Sequence, residues 1–277
     1  MAEYRLGAVV YHPKVLTIWE AFGTWFAGQG FPIEFIPFDA YEDQVDALVE
    51  GRVDVAWNTN LAYVHSRLRT DGACHAIAMR DTDRNWTSKV VVAEESPSRS
   101  LEDVRDQRLG FGDRDSPQAH ILPVHAMRAE GFDPTTAAVS SRLDRDVGKH
   151  GDTGGAELAQ LERLRGNELD ACVLSSVTLD ALVGSGDAGG LREVWTSPPF
   201  HHCNFTVLDQ STADHERFRE LLLAMDAADP YLCEPMELEY VNRWVEADES
   251  GYGDLIEAVR RGPIVVGSTP EELEARR

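Results

Sequence analysis

Four side chains of this 277-residue chain have the chemical types needed for acid–base, nucleophilic or metal chemistry. They are His12, His150, His201 and Cys203. Imidazole and thiolate groups bind transition metals, and histidine titrates near neutral pH, so a convergence of these four residues would suit an enzyme. If the backbone is extended here, His201 and Cys203 share one face and His202 points to the other. The sequence contains no HExxH or comparable spacing, so these residues do not identify a particular metal.

A strand-to-helix junction near residue 116 has the features of an anion site. The apolar segment Leu109–Phe111 leads into a polar turn, where Ser116 is a favoured N-cap and Pro117 suits the first helical position. Backbone N–H groups at such a helix start favour a negatively charged ligand. An ordinary capped helix with no ligand is the alternative interpretation.

A similar junction follows the apolar strand Val53–Trp57. Asn58, Thr59 and Asn60 supply polar groups there, and a helix comes next. Ser175 also follows an apolar strand, where it is either a ligand contact or the N-cap of the following helix. The sequence therefore predicts several polar strand ends, which is the arrangement of a small-ligand site.

Short apolar strands alternate with amphipathic helices along most of the chain. A first helix is predicted from apolar residues at helical spacing, which we assign to the core: Val15, Ile18, Trp19, Phe22, Trp25 and Phe26. The β-α-β alternation predicts an α/β fold with mostly parallel sheets. Helices are predicted for most of the last third, at 214–229, 234–247 and 254–261.

The composition argues against several classes of partner. The chain has 48 acidic and 26 basic residues, for a net charge of −22. Such a surface repels nucleic acids and anionic membranes, so no nucleic acid and no membrane insertion are expected. A bound anion would have to be held by local arginine, amide and hydroxyl donors. We expect no cofactor, with a transition metal as the alternative.

The N-terminus and the cysteines bear on the location. The chain enters a predicted strand at Tyr4 without a preceding signal-like segment, and no apolar stretch is long enough to span a bilayer. The four cysteines are widely spaced and form no CxxC pair: Cys74, Cys172, Cys203 and Cys233. These features predict a cytoplasmic protein, or a periplasmic or extracellular one whose signal peptide has been removed.

Three segments together resemble the phosphate/phosphonate-type substrate-binding proteins of ABC transporters. In the first, a helix ends at Gly51, a Val-Asp-Val-Ala-Trp strand follows, and Ala62-Tyr63 begins the next helix. The second lies within 111–134 and the third within 161–174, and their matching residues are Ser116, Leu122, Pro123, Gly131, Phe132, Asp133, Pro134, Gly166, Leu169, Asp170 and Ala171. The resemblance covers roughly residues 4 to 210, and the combined order is more specific than any single piece.

The resemblance implies a type 2 periplasmic-binding fold. Its two Rossmann-like lobes would have mixed, mostly parallel sheets and would be joined by two hinge crossings. Residues 1–88 and 206–277 would form lobe 1, residues 89–205 would form lobe 2, and a ligand would be enclosed between them by hinge closure.

The ligand-binding residues implied by the motifs are Asn58, Thr59, Asn60, Tyr63, Ser116, Gln118 and Ala119. Tyr11, His12, His150, Ser175 and His201 are added because of their expected positions at the same cleft. The family's turn commonly reads Ser-Thr-Ser, whereas this chain has Ser116-Pro117-Gln118. Because a carboxamide both donates and accepts hydrogen bonds, a carboxylate or small heterocycle becomes as suitable a ligand as a phosphonate.

Two functions follow from these expectations. The first is a soluble binding protein that closes around a small polar or anionic molecule, with an ABC transporter permease as partner if the protein is exported. The alternative is a cytosolic biosynthetic or catabolic enzyme on the same fold, in which His12, His150, His201 and Cys203, with or without a metal, act on a small organic acid. A homodimer is a further expectation.

Overall fold

The structure is a computed structural model that describes residues 4–152, 154–210 and 212–275. Thr153, in the glycine-rich loop that carries His150, lies outside the described residues. The strands are β1 Tyr4–Val9, β2 Ile33–Phe38, β3 Val55–Asn58, β4 Cys74–Arg80, β5 Ser88–Ala93, β6 Arg108–Phe111, β7 Val139–Arg142, β8 Ala171–Ser175, β9 Leu191–Thr196, β10 Asn204–Leu208 and β11 Trp244–Glu246.

The α-helices are α1 Lys14–Gly28, α2 Tyr41–Val49, α3 Asn60–Arg69, α4 Leu122–Ala129, α5 Pro134–Ala137, α6 Gly155–Arg165, α7 Ser176–Ser185, α8 Ala213–Leu223, α9 Cys233–Leu238, α10 Gly253–Arg260 and α11 Pro270–Glu274. A π-helical turn, Pro117–Ile121, runs directly into α4. Within the described ranges, no helix combines the length and the apolar character needed to cross a membrane.

The chain divides into two compact units. Unit 1 comprises Met1–Arg84 and His201–Tyr252, and unit 2 comprises Asn85–Phe200 and Gly253–Arg277. The chain therefore passes between the units at three places, whereas two crossings were expected from the sequence. The third passage arises because α10 packs on α4 and Val266 joins the core of unit 2. The expected placement of residues 253–277 in lobe 1 is therefore wrong, since they belong to unit 2.

The sheet of unit 1 has the strand order β11-β4-β10-β3-β1-β2. Strands β1, β2 and β3 pair in parallel, while β10 pairs antiparallel with both β3 and β4, and β11 pairs antiparallel with β4. One face packs on α1, α8 and α9 through an aromatic core, and the other packs on α2 and α3. Trp57 belongs to the aromatic core, in contact with Phe205 and Trp244.

The sheet of unit 2 has the strand order β7-β6-β8-β5-β9. Helices pack on both faces of this sheet, and successive residues of β5 point to opposite faces. Val90 and Val92 lie in the core with α4, while Val91 lies in the core with α6 and α7. The pairs of β6 with β7 and β8 are parallel, and those of β5 with β8 and β9 are antiparallel. Both sheets are mixed as expected, with a larger antiparallel share than the β-α-β alternation predicts.

Candidate functional site

The predicted helix start at Ser116 is present in unit 2, at the end of β6. Ser116 is the N-cap, and its Oγ accepts a hydrogen bond from the Ala119 backbone N–H at 3.2 Å. The Ser116 carbonyl accepts from both His120 and Ile121, which produces the wide π-helical first turn. Ala119 closes the junction by accepting from the Gly112 backbone N–H at 3.0 Å. Ser116 is 1% exposed, so this polar start is buried.

The glycine-rich loop that carries His150 packs directly on this helix start. The Gln118 Nε2 donates to the Gly151 carbonyl at 2.9 Å. A Cβ at residue 151 would lie 2.5 Å from the Ser116 Oγ and 2.6 Å from the Gln118 Nε2, and φ there is +78°. Only glycine satisfies both constraints. His150 itself is fully buried, with a φ of +53°.

Glu157 is the most informative residue that sequence reasoning missed. It lies in the first turn of α6 and is 2% exposed. Its Oε2 accepts from the Ser175 backbone N–H at 2.7 Å and from the Ser175 Oγ at 3.0 Å, and its Oε1 accepts from the Gln118 Nε2 at 3.4 Å. A carboxylate of the protein therefore occupies the N-terminal end of α7, where the helix dipole favours negative charge.

These contacts define the role of Ser175. Its Oγ caps α7 by accepting from the Thr178 backbone N–H at 3.2 Å. Of the two roles expected for Ser175, the N-cap is the one that this contact shows. Burial raises the pKa of Glu157, and the hydrogen bonds from Ser175, Thr178 and Gln118 oppose that shift. The only sequence signal for Glu157 was an acidic residue in the first turn of a helix, which is common on exposed surfaces.

Two further carboxylates border the helix start at Ser116. The Asp113 Oδ1 accepts from the Arg145 backbone N–H at 2.6 Å, and the Asp115 Oδ2 accepts from the Gly148 backbone N–H at 2.6 Å. Burial, with added repulsion from Asp115 and Asp146, raises the pKa of Asp113 to about 6. Thus several backbone donors of the adjoining loop are bound by carboxylates of the chain itself.

The polar residues at the end of β3 in unit 1 are fully buried and hold the sheet to its helices. The Asn58 Oδ1 accepts from the Gln44 Nε2 at 2.7 Å, and the Asn58 Nδ2 donates to the Thr206 Oγ1 at 2.9 Å. The Thr59 Oγ1 caps α3 by accepting from the Ala62 backbone N–H at 3.3 Å. Asn60 donates from Nδ2 to the His201 carbonyl at 3.0 Å. These groups therefore have structural partners, whatever ligand contacts they also make.

The rings of Tyr63 and His201 both contact the ring of Tyr252 in unit 1. The Tyr63 hydroxyl donates to the Glu249 Oε1 at 2.6 Å, and its ring centroid is 4.7 Å from that of Tyr252. The His201 ring meets the Tyr252 ring edge-on at 6.0 Å, and its Nε2 is 3.3 Å from the Asp248 carboxylate. Hydrogen bonds from Ser250 and the nearby His201 lower the pKa of Asp248 to about 2.

Tyr11 and His12 follow β1 directly. His12 is exposed, and its Nδ1 accepts from the Lys14 backbone N–H at 3.2 Å. Tyr11 is half-buried against the aromatic core, with the Lys14 ammonium 5.9 Å from its ring centroid.

Residues 201–203 differ from the extended arrangement considered in the sequence analysis. They precede β10 and form no strand, so strict alternation of faces does not apply. The Cys203 Sγ lies 3.0 Å from the His202 Nδ1, while His201 contacts Asp248. Cys203 is 3% exposed and packs in the aromatic core, which does not favour its use as a nucleophile. His201 and Cys203 both belong to unit 1, whereas they were expected in lobe 2.

The chain matches a family model described as the ABC transporter, phosphonate, periplasmic substrate-binding protein family, over residues 10–252. The chain belongs to this family. The match confirms the resemblance found in the sequence. The family is described as periplasmic. The match therefore gives no support to the cytoplasmic location, the first of the two locations expected from the sequence.

Solved structures of other proteins share this fold. PhnD1 from Prochlorococcus marinus MIT 9301, in complex with methylphosphonate, is 18% identical with a TM-score of 0.69, over 93% of this chain and 97% of that one. XAC2383 from Xanthomonas citri, bound to ATP, is 19% identical with a TM-score of 0.72, over 94% and 98%. At these identities the similarity shows the fold, and it confirms the expected α/β class with two mixed sheets.

A third similar structure is a binding protein component of an ABC phosphonate transporter, PA3383 from Pseudomonas aeruginosa. It is 16% identical with a TM-score of 0.62, over 98% of this chain and 92% of that one.

Proposed function

We propose that this phosphonate-type binding protein is the substrate-binding component of an ABC transporter and that it binds a small anionic or polar molecule for delivery to a permease. Family membership over residues 10–252 supports the transporter role. This role requires a location outside the cytoplasmic membrane, in the periplasm or at the extracellular surface.

The observation that carries the binding proposal is the buried helix start at Ser116. The hydroxyl of Ser116, the carboxamide of Gln118 and the backbone of a glycine-rich loop meet there, at the carboxyl end of β6. The carboxyl ends of parallel strands and the starts of the following helices are where α/β folds bind small ligands. The ligand of PhnD1, methylphosphonate, is therefore a reasonable first probe.

The nearby carboxylates restrict which ligand suits this site. Asp113 and Glu157 are both buried within the polar surroundings of Ser116, and Gln118 stands where the family commonly has a hydroxyl residue. A fully ionised dianion would be repelled by these carboxylates unless they are protonated. We therefore propose a singly charged or mixed donor-acceptor ligand ahead of inorganic phosphate.

Isothermal titration calorimetry with methylphosphonate, phosphate, methanesulfonate and acetate tests the proposal directly. We expect saturable one-to-one binding of at least one singly charged anion, with weaker binding of phosphate at pH 8. Absence of binding to every anion at millimolar concentration would contradict the anion-binding proposal.

A capping variant with a matched control tests the position of the site. In Ser116→Ala we expect a loss of about 1 kcal/mol in stability and an affinity that is weaker by more than about tenfold. Thr269→Ala removes the N-cap of α11, where the Thr269 Oγ1 accepts from the Glu272 backbone N–H at 3.2 Å. That control should lose similar stability and keep its affinity. A folded Ser116→Ala protein with unchanged affinity would exclude Ser116 from the site.

A further inference from the structure

Unit 1 contains a buried cluster of metal-ligating and charged side chains that the binding proposal does not use. Asp83, His202 and Cys203 are at most 3% exposed, and one ligand atom from each lies within 4.8 Å of the other two. The Cys203 Sγ is 3.0 Å from the His202 Nδ1, which is 3.6 Å from the Asp83 Oδ1. Three different donor types thus lie close together.

Asp83 belongs to a buried network of ion pairs. Arg80 contacts Asp83 through Nε at 2.6 Å and Nη2 at 2.8 Å, and its Nη1 lies 3.4 Å from the Glu239 carboxylate. Burial alone would raise the pKa of Asp83, but Arg80 and His202 outweigh it and hold that pKa below its usual value. One buried guanidinium therefore contacts two buried carboxylates.

We propose that Asp83, His202 and Cys203 bind a zinc ion. Thiolate, imidazole and carboxylate are the ligands that Zn²⁺ takes in proteins. Metal–ligand bonds of about 2.0–2.3 Å place tetrahedral ligand atoms roughly 3.4–3.6 Å apart. The separations here are 3.0 Å from Cys203 to His202 and 3.6 Å from His202 to Asp83, so small shifts of these side chains would suffice. On binding, the Sγ–H bond of Cys203 breaks, a zinc–sulfur bond forms, and the proton passes to solvent.

The neighbours of the three ligands hold them in place. Arg80 fixes both oxygens of Asp83, in the manner of groups that orient metal ligands from outside. The His202 backbone N–H donates to the Asp83 carbonyl at 2.9 Å, which ties the two segments together. Asp83 lies just before the chain leaves unit 1, and His202 lies just after it returns. Zinc at this position would crosslink the outgoing and returning segments.

Metal titration of the full chain tests the proposal. After dialysis against a chelator, we expect one Zn²⁺ per chain by competition with a fluorescent chelator, and release of one proton. Titration with Co²⁺ should produce a thiolate-to-cobalt charge-transfer band that saturates at one equivalent. The absence of this band in the folded wild-type protein would overturn the proposal.

A second buried thiol of unit 1 provides the control. In Cys203→Ala we expect loss of the cobalt band and a zinc affinity that is lower by at least about 100-fold. Cys74 lies in β4, is equally buried, and is absent from the proposed ligand set, so Cys74→Ala should keep the band. A band that survives in Cys203→Ala, or disappears in Cys74→Ala, would also overturn the assignment. The wild-type measurement decides the question even if a variant does not fold.

Discussion

The Glu157→Ala substitution removes the carboxylate that binds the start of α7. In the native protein it accepts the Ser175 backbone N–H at 2.7 Å and the Ser175 hydroxyl at 3.0 Å. A buried donor left without an acceptor costs about 1–3 kcal/mol, and losing negative charge at a helix N-terminus costs about 0.3–1 kcal/mol. Because relief from burying an ionisable group offsets part of this loss, we expect a net destabilisation of about 2–3 kcal/mol.

Urea unfolding followed by circular dichroism measures this loss, and hydrogen exchange locates it. Amide protection should fall first in the peptides that contain β8 and α7. Glu162→Ala is the matched control on the same helix, because the Glu162 side chain is 70% exposed and forms a surface ion pair with Arg165. We expect the control to change stability by less than about 0.5 kcal/mol.

Equal stabilities of Glu157→Ala and Glu162→Ala would refute this reasoning. Unchanged hydrogen exchange across 171–185 would refute it as well, since it would show that the start of α7 does not depend on the carboxylate.

Three other predictions concern buried ionisable groups. Arg80→Met leaves the Asp83 carboxylate buried without its guanidinium, so it should destabilise the protein by about 3–5 kcal/mol in urea unfolding; a loss below 1 kcal/mol would contradict the ion pair. Tyr63→Phe removes the hydroxyl that donates to Glu249 at 2.6 Å and should cost about 1–2 kcal/mol by the same measurement; an unchanged urea midpoint would argue against this bond. Because the pKa of Asp113 is raised from 3.8 to about 6, its contribution to stability is complete below pH 4 and is lost as the pH rises through 6. The stability of the wild type relative to Asp113→Asn should therefore fall between pH 4 and 6 and level off above 7, whereas a constant difference would contradict the shifted pKa.

Much of the fold could be predicted from local patterns in the sequence. The apolar spacing from Val15 to Phe26 identifies α1, and its inward face is buried as the pattern requires. The predicted helix over 234–247 was partly wrong, because Trp244–Glu246 forms a short edge strand beside β4. A segment of three residues is too short for its apolar spacing to distinguish a strand from the end of a helix. Here the segment is a strand because it pairs with β4.

The site was less predictable than the fold. Ser116 could be identified as an N-cap because its signal is local, with Pro117 directly after it. The role of Glu157 depends on contacts with Ser175, 18 residues away, and with Gln118, 39 residues away. No pattern within one helix encodes such a contact, so burial of this carboxylate could not be read from the sequence.

Native mass spectrometry of freshly purified protein, followed by denaturation and identification of any released molecule, tests the central claim most directly. We expect that a small organic anion, such as a phosphonate, sulfonate or carboxylate, is retained at one molecule per chain and is absent from Ser116→Ala. Retention of no such molecule, together with failure of methylphosphonate and the other anions to bind when added, would contradict the claim that this chain is an anion-binding component of an ABC transporter.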